Sequence, residues 1–184
     1  MAILNFRTVC GQSASFLLLL ISLLGRPTNS RGQNIDEYEV KAALLYNFTR
    51  FVEWPRAIDS QFFTICILGD DPFRSALDRL TRGKVAHGHP IQVRRAKDGA
   101  ETKQCQVVFV SAAEGSKAEG LIEATRGSPV FTVGESQDFV RIGGMIFLSM
   151  ERNQISVVIH KAVTDSEGFK ISAKLMTLAK IYTR

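Results

Sequence analysis

The sequence predicts a single α/β domain: a mainly parallel sheet flanked by helices, finished by a C-terminal β-hairpin and helix. Three observations carry this. Phe62–Leu68, Cys105–Val110 and Pro129–Val133 are short, almost unbroken apolar runs, the pattern of strands buried on both faces. Segments with apolar residues at helical spacing separate them, and that alternation favours parallel strands joined by crossovers. Near the end the rhythm changes to two apolar runs, Met145–Met150 and Gln154–Ile159, about a polar Glu151-Arg152-Asn153 turn.

Taken in order, the first element is a long amphipathic helix over Ile35–Glu53. Tyr38, Ala42, Leu45, Phe48 and Val52 form its stripe, Asp36 its cap, and Pro55 its stop. The strand Phe62–Leu68 follows. Gly69-Asp70-Asp71-Pro72 then turns into a helix, with Asp71 as N-cap, Pro72 at the first helical position, and Phe73, Ala76, Leu77 and Leu80 inward. Ile91–Val93 reads as a short strand, and Arg94-Arg95-Ala96-Lys97 as a solvated turn. After Cys105–Val110 comes a helix over Ser116–Thr125, and after Pro129–Val133 the hairpin. Ser172 caps a last helix with Leu175, Leu178, Ala179 and Tyr182 on one face.

Residues 1–30 read as a secretory signal peptide. Arg7 precedes a nine-residue apolar core, Phe16–Leu24, and Thr28 and Ser30 supply the small residues before a cleavage site. That core is too short to span a bilayer, which takes about 20 residues. The domain expected is therefore 31–184, about 154 residues, enough for one core. Of 23 basic residues, Arg7 and Arg26 leave with the signal; 21 then face 18 acids, a net +3. This is too mild to argue for nucleic acid, and no later run approaches membrane length. Cys10 precedes the apolar core and is lost on cleavage.

In an exported chain, Cys66 and Cys105 most often form one structural disulfide. A redox-sensing pair needs an exposed or strained bond, or a thiol of lowered pKa. The apolar neighbours Ile65, Ile67 and Val107 argue for structure. Enzymatic chemistry is not visible. Asp70 and Asp71 have no accompanying nucleophile, and there is no G-x-S-x-G elbow. Gly69–Phe73 opens a helix after a strand, but its two acids would repel phosphate. His87-Gly88-His89 falls on a loop without a further ligand, so neither a metal nor another cofactor is expected.

Several stretches resemble the YfiR-like family. They are Glu37–Pro55 with its Lys-Ala-Ala, Tyr-Asn-Phe and Glu-Trp-Pro steps, Ile65–Phe73, Cys105–Ser111 and Gly168–Ala179. The resemblance spans essentially the whole expected domain. It implies an α/β, non-enzymatic periplasmic protein that binds the periplasmic part of an inner-membrane diguanylate cyclase of YfiN type. Binding holds the cyclase inactive and so lowers cyclic di-GMP and biofilm formation. It also implies cysteines at the two positions of Cys66 and Cys105, and it allows a homodimer. Three departures bear on the partner. His160 stands where the family usually has Asn, Lys161–Glu167 replaces an alanine-rich segment, and no cysteine follows Cys105.

On this reading the partner-binding surface combines the aromatic end of the first helix with the hairpin-to-last-helix segment. Its candidates are Phe51, Trp54, His160 and Phe169. The alternative is a periplasmic small-molecule-sensing domain acting on a sensor kinase or another membrane receptor. Its ligand would enter at the carboxyl ends of the parallel strands, near Gly69, Ser111 and Gly134.

Overall fold

The architecture comes from a computed structural model that describes residues 36–151 and 153–183. The expected signal peptide, residues 1–30, and Cys10 lie outside the described residues. Helix α1 spans Glu37–Phe51. Its cap is as expected: Asp36 accepts from the Tyr38 N–H at 3.0 Å, and Glu37 and Glu39 sit at the positive end of the helix dipole. Ala42, Leu45 and Phe48 face the core. The helix stops two residues short of the expectation. Val52 turns extended, and strand β1, Val52–Glu53, pairs antiparallel with β9, Lys170–Ile171. This two-residue ladder fastens the end of α1 to the C-terminal segment. Gly168 makes the approach close, since a Cβ there would lie 2.9 Å from that of Pro55.

Strand β2, Phe63–Leu68, is buried along its whole length. Asp71 accepts from the Phe73 N–H at 2.8 Å, closing a turn rather than capping a helix. Helix α2 begins later, at Ala76, and ends at Thr81. Strand β3, Val85–Ala86, hairpins through His87-Gly88 into β4, His89–Ala96. Both turn residues have positive φ, 50° and 85°, matching the primed turns whose twist suits a hairpin. Arg94 and Arg95 therefore belong to a strand and not, as expected, to a turn. Alternation separates them, and Arg95 clamps Asp71 and Asp78, each at 2.9 Å. Helix α3 spans Gly99–Thr102 and β5 Val107–Val110. Cys105 lies ahead of β5 and not within it. A 3₁₀ turn, Ala112–Lys117, leads into α4, Ala118–Thr125, and then β6, Phe131–Gly134.

The hairpin is β7, Ile146–Glu151, with β8, Gln154–Ile159. Helix α5, Lys161–Ser166, was not visible in the sequence; it is short and polar, and fully buried Thr164 roots it. Ser172 caps α6, Ala173–Leu178, by accepting from the Leu175 N–H at 3.3 Å. Ala179 then turns extended into β10, Lys180–Ile181. This early ending corrects the expected helical face: Leu175 is buried, but Leu178 is 73% exposed.

The eight-stranded sheet runs β10-β8-β7-β6-β5-β2-β4-β3. Strands β4, β2, β5, β6 and β7 are parallel; β8 and β3 run against their neighbours, and β10 follows β8. The fold is thus the mainly parallel α/β domain with a C-terminal hairpin and helix. Each central strand feeds two cores. Phe63, Ile65 and Ile67 join Leu45, Phe48, Phe109 and Phe131 on the α1 face, while Cys66 and Leu68 join Val108, Leu121 and Phe139 on the α4 face. Burial on both faces is why the runs lack polar alternation.

Candidate functional site

The order β4-β2-β5 brings three separate stretches to one end of the sheet. At the amino ends of these strands the irregular segment after β1 crosses the start of β2. There it forms a cleft of about 600 Å³ with Arg94 of β4 and the Lys103–Gln106 segment. Trp54 is its aromatic wall. The indole N–H donates to the Gln106 carbonyl at 3.2 Å, and the ring meets Phe63, Phe131 and Phe169 at centroid distances of 5.0, 6.1 and 5.8 Å. His87 of the β3–β4 turn covers another side, 5.1 Å from Trp54 and stacked on Phe63 at 5.7 Å. A second, contiguous hollow of about 420 Å³ shares Trp54, Arg56 and Ile58 and reaches His87 and His89. Trp54 stays half-buried between the two. Phe62, at the mouth, is 36% exposed.

The rim is basic. Arg56 donates to the Gly127 carbonyl at 3.4 Å. Arg94 donates to the Glu101 carbonyl at 2.5 Å and the Gln104 amide oxygen at 3.4 Å. These acceptors are neutral. Lys103 is exposed. Arg95, one residue from Arg94 but on the other face, has its charge matched by two aspartates, and its hydrogen bond holds the Asp78 carboxyl below the usual range.

Cys66 and Cys105 are bonded on the α4 side of the sheet, with Cα atoms 5.9 Å apart and both residues buried. Cys105 Sγ lies 3.7 Å from the Arg94 guanidinium, and Cys105 is the half of the bridge that lines the cleft.

The four residues expected to form one surface separate. The β1–β9 ladder gathers Phe51, Trp54 and Phe169. Phe51 and Trp54 are half-buried, Lys174 lies over the Phe51 ring at 5.4 Å, and Phe169 is core at 1% exposure. His160 sits at the β8–α5 junction with its ring 4.9 Å from that of Tyr182. Its Nδ1 is buried with no hydrogen-bond partner. Burial pushes the imidazole below its ordinary value, opposed in part by a hydrogen bond with the Gly144 backbone. The unfolded chain binds this proton more readily, so stability should fall as pH drops through the ordinary histidine value of about 6.5. His160→Gln should flatten that part of the profile; equal losses of urea midpoint between pH 7.5 and 5.5 in both proteins would show that His160 is not responsible.

The carboxyl ends of the strands are occupied by the protein's own side chains. The Glu114 carboxylate lies over Gly69 and accepts from the Asp70 N–H at 3.2 Å; Lys117, at 2.8 Å, helps hold its carboxyl below the usual range. Ser111 is buried. A Cβ on Gly134 or Gly144 would drive into the Phe139 ring, which is packed between them. Glu135 accepts from the Ala112 N–H at 3.1 Å and forms an ion pair with Lys41, both side chains nearly inaccessible. Burial pulls the Lys41 ammonium down, but hydrogen bonds to Glu135 and Glu37 outweigh it and the net displacement is upward.

Among the described residues, no three His, Cys, Asp or Glu side chains are placed to hold a metal ion, and no helix is long and apolar enough to cross a membrane. Sequence reasoning singled out Trp54 but missed Arg56, Phe62, Arg94 and Lys103. The usable signal was the alternation across Arg94-Arg95, which separates one clamped arginine from one facing the cleft.

A family model described as YfiR/HmsC-like matches residues 38–180. No curated protein matches the chain. Two of the solved structures that resemble it show the likeness. One is a conserved domain protein from Vibrio cholerae O1 biovar eltor, with a TM-score of 0.51 and 15% identity over 80% of this chain and 60% of that one. The other is an ABC domain from Streptococcus pneumonia in complex with L-Trp, with a TM-score of 0.51 and 10% identity over 79% of this chain and 60% of that one. At these identities the likeness is one of fold. The aligned part spans about 60% of the length of either structure.

Proposed function

The chain belongs to the YfiR/HmsC-like family, and from that premise we propose that it is a periplasmic regulator that acts by binding. It holds the periplasmic part of an inner-membrane diguanylate cyclase of YfiN type in its inactive arrangement, so cyclic di-GMP stays low. The observation that carries this reading is the family match, which runs from the first helix into the last strand. Two features support it. A disulfide within the core suits an oxidising compartment, as does the secretory signal expected at residues 1–30. The polar groups at the carboxyl ends of the strands are engaged with one another, as in a structural ion-pair network. A binder needs only to prefer one receptor state to shift its population. The small-molecule-sensor reading keeps one foothold, the cleft beside Trp54.

The test is deletion of the gene with cyclic di-GMP measured in cells. A rise, reversed by the wild-type gene, is expected; unchanged levels would end the cyclase-repressor reading. N-terminal sequencing of the protein from a periplasmic extract should begin at Arg31 if the signal is cut after Ser30.

A further inference from the structure

We propose that the cleft beside Trp54 receives an acidic segment of the cyclase's periplasmic part, anchored by an apolar side chain. This rests on the binder reading and adds where and how the partner is held. Charge complementarity identifies the occupant. Arg56, Arg94 and Lys103 surround one cleft, and Asp59 is the single acid lining it. Among the described residues none of the three cations is in a salt bridge; others, Arg50, Lys84 and Arg126 among them, also lack one, and what distinguishes these three is that they line one cleft. Glu101 offers Arg94 only a backbone carbonyl and turns its carboxylate to the Lys97 N–H at 2.9 Å, while Asp98, the acid nearest Arg94 in the chain, accepts from the Glu101 N–H at 3.1 Å. The rim thus carries positive charge that the fold leaves uncompensated, and such fields favour an acidic partner.

The walls ask for something apolar. Phe62 is one of four exposed large hydrophobic residues among those described, and it stands at the mouth with half-buried Ile58 and Trp54. The floor is held by the Trp54 N–H on the Gln106 carbonyl and by the Gln106 side chain, whose oxygen accepts from the Thr64 N–H. An apolar anchor in a fixed pocket, ringed by charges that steer its approach, is the arrangement of an interface hot spot. A segment of alternating acidic and apolar residues would meet both requirements.

Trp54 is the chain's single tryptophan, so its fluorescence reports on this cleft and the hollow beside it. The probe is a tryptophan-free octapeptide of alternating glutamate and leucine, titrated into the purified secreted protein, with a lysine-for-glutamate peptide and sodium benzoate as controls. Saturable change with the acidic peptide is expected, lost on raising the salt to 0.5 M, and weakened roughly tenfold or more in Arg56→Glu/Lys103→Glu. Both residues are exposed, so the variant should fold; its circular dichroism and urea midpoint are compared with the wild type. Equal binding of the acidic and lysine peptides, or undiminished binding by the variant, overturns the proposal. Benzoate binding as tightly as the peptide also overturns it, and assigns the cleft to small molecules. In the deletion strain, the variant at wild-type abundance should fail to lower cyclic di-GMP. If it represses normally while deletion raises cyclic di-GMP, the docking site is wrong and the repressor reading stands. If deletion changes nothing, the repressor reading fails, whatever the peptide does.

Discussion

Replacing Lys41 with methionine should lower stability by about 3–5 kcal/mol, read as a fall in urea midpoint at constant slope. Methionine nearly fills the volume, so the loss would come from charge. Lys41 and Glu135 are 3% and 4% exposed at the side chain, and removing the ammonium leaves the carboxylate buried against only the Ala112 N–H and a long contact from the Tyr38 hydroxyl at 3.5 Å. The pair joins α1 to the ends of β5 and β6, the region where an open α/β sheet usually leaves a ligand crevice. A second change separates charge from packing. Glu135→Gln keeps an oxygen for the Ala112 N–H and removes the charge. Lys41→Met/Glu135→Gln should therefore recover most of the loss, because a buried ion pair gives back in attraction little more than it costs in desolvation. A double variant as unstable as the single one would mean that Lys41 matters for packing and not as a counter-charge.

What could be read in the sequence follows from how local each cause is. Helix α1 and the apolar strands are written in consecutive residues: a cap, a stripe, a run closed by glycine. The misreadings arise where a distant segment decides. Val52 and Glu53 continue the helical pattern, yet they leave the helix because Ile171 and Lys170 offer a ladder. Leu178 keeps the spacing of α6, yet the chain turns extended at Ala179 to reach β8. Arg94-Arg95 reads as a charged turn until strand alternation sends one to Asp71 and the other to the cleft. The same cause hid most of the site. Arg56, Arg94 and Lys103 meet only because β2 lies between β4 and β5, an order that no local pattern records. Trp54 could be picked out by its chemistry, and so could Phe169, but aromatic character alone does not tell a half-buried wall from a core ring.

Removing the bridge with Cys66→Ala/Cys105→Ala should cost about 4 kcal/mol, since the cysteines are 39 residues apart and loop-closure entropy is what the bond removes from the unfolded chain. The loss should appear in the urea midpoint, and reducing the wild type should reproduce most of it. The enclosed loop contains β4 and α3, so without the bridge the unfolded chain gains freedom that includes much of the cleft wall. The folded cleft should nevertheless survive. Gln106 is fastened to β2 independently: its side-chain oxygen accepts from the Thr64 N–H at 2.6 Å, and its own N–H donates to the Thr64 carbonyl at 2.9 Å. Arg94 holds the Glu101 carbonyl from the other side. The variant should thus bind the acidic peptide within about threefold of wild type wherever it remains folded, because bonds that shape the native cleft are separate from the one that limits the unfolded chain. Lost binding in a protein with native circular dichroism would assign the bridge a different role. Cys105 would then be positioning Arg94 and Lys103 directly, and breaking the bond would release the partner without unfolding the domain.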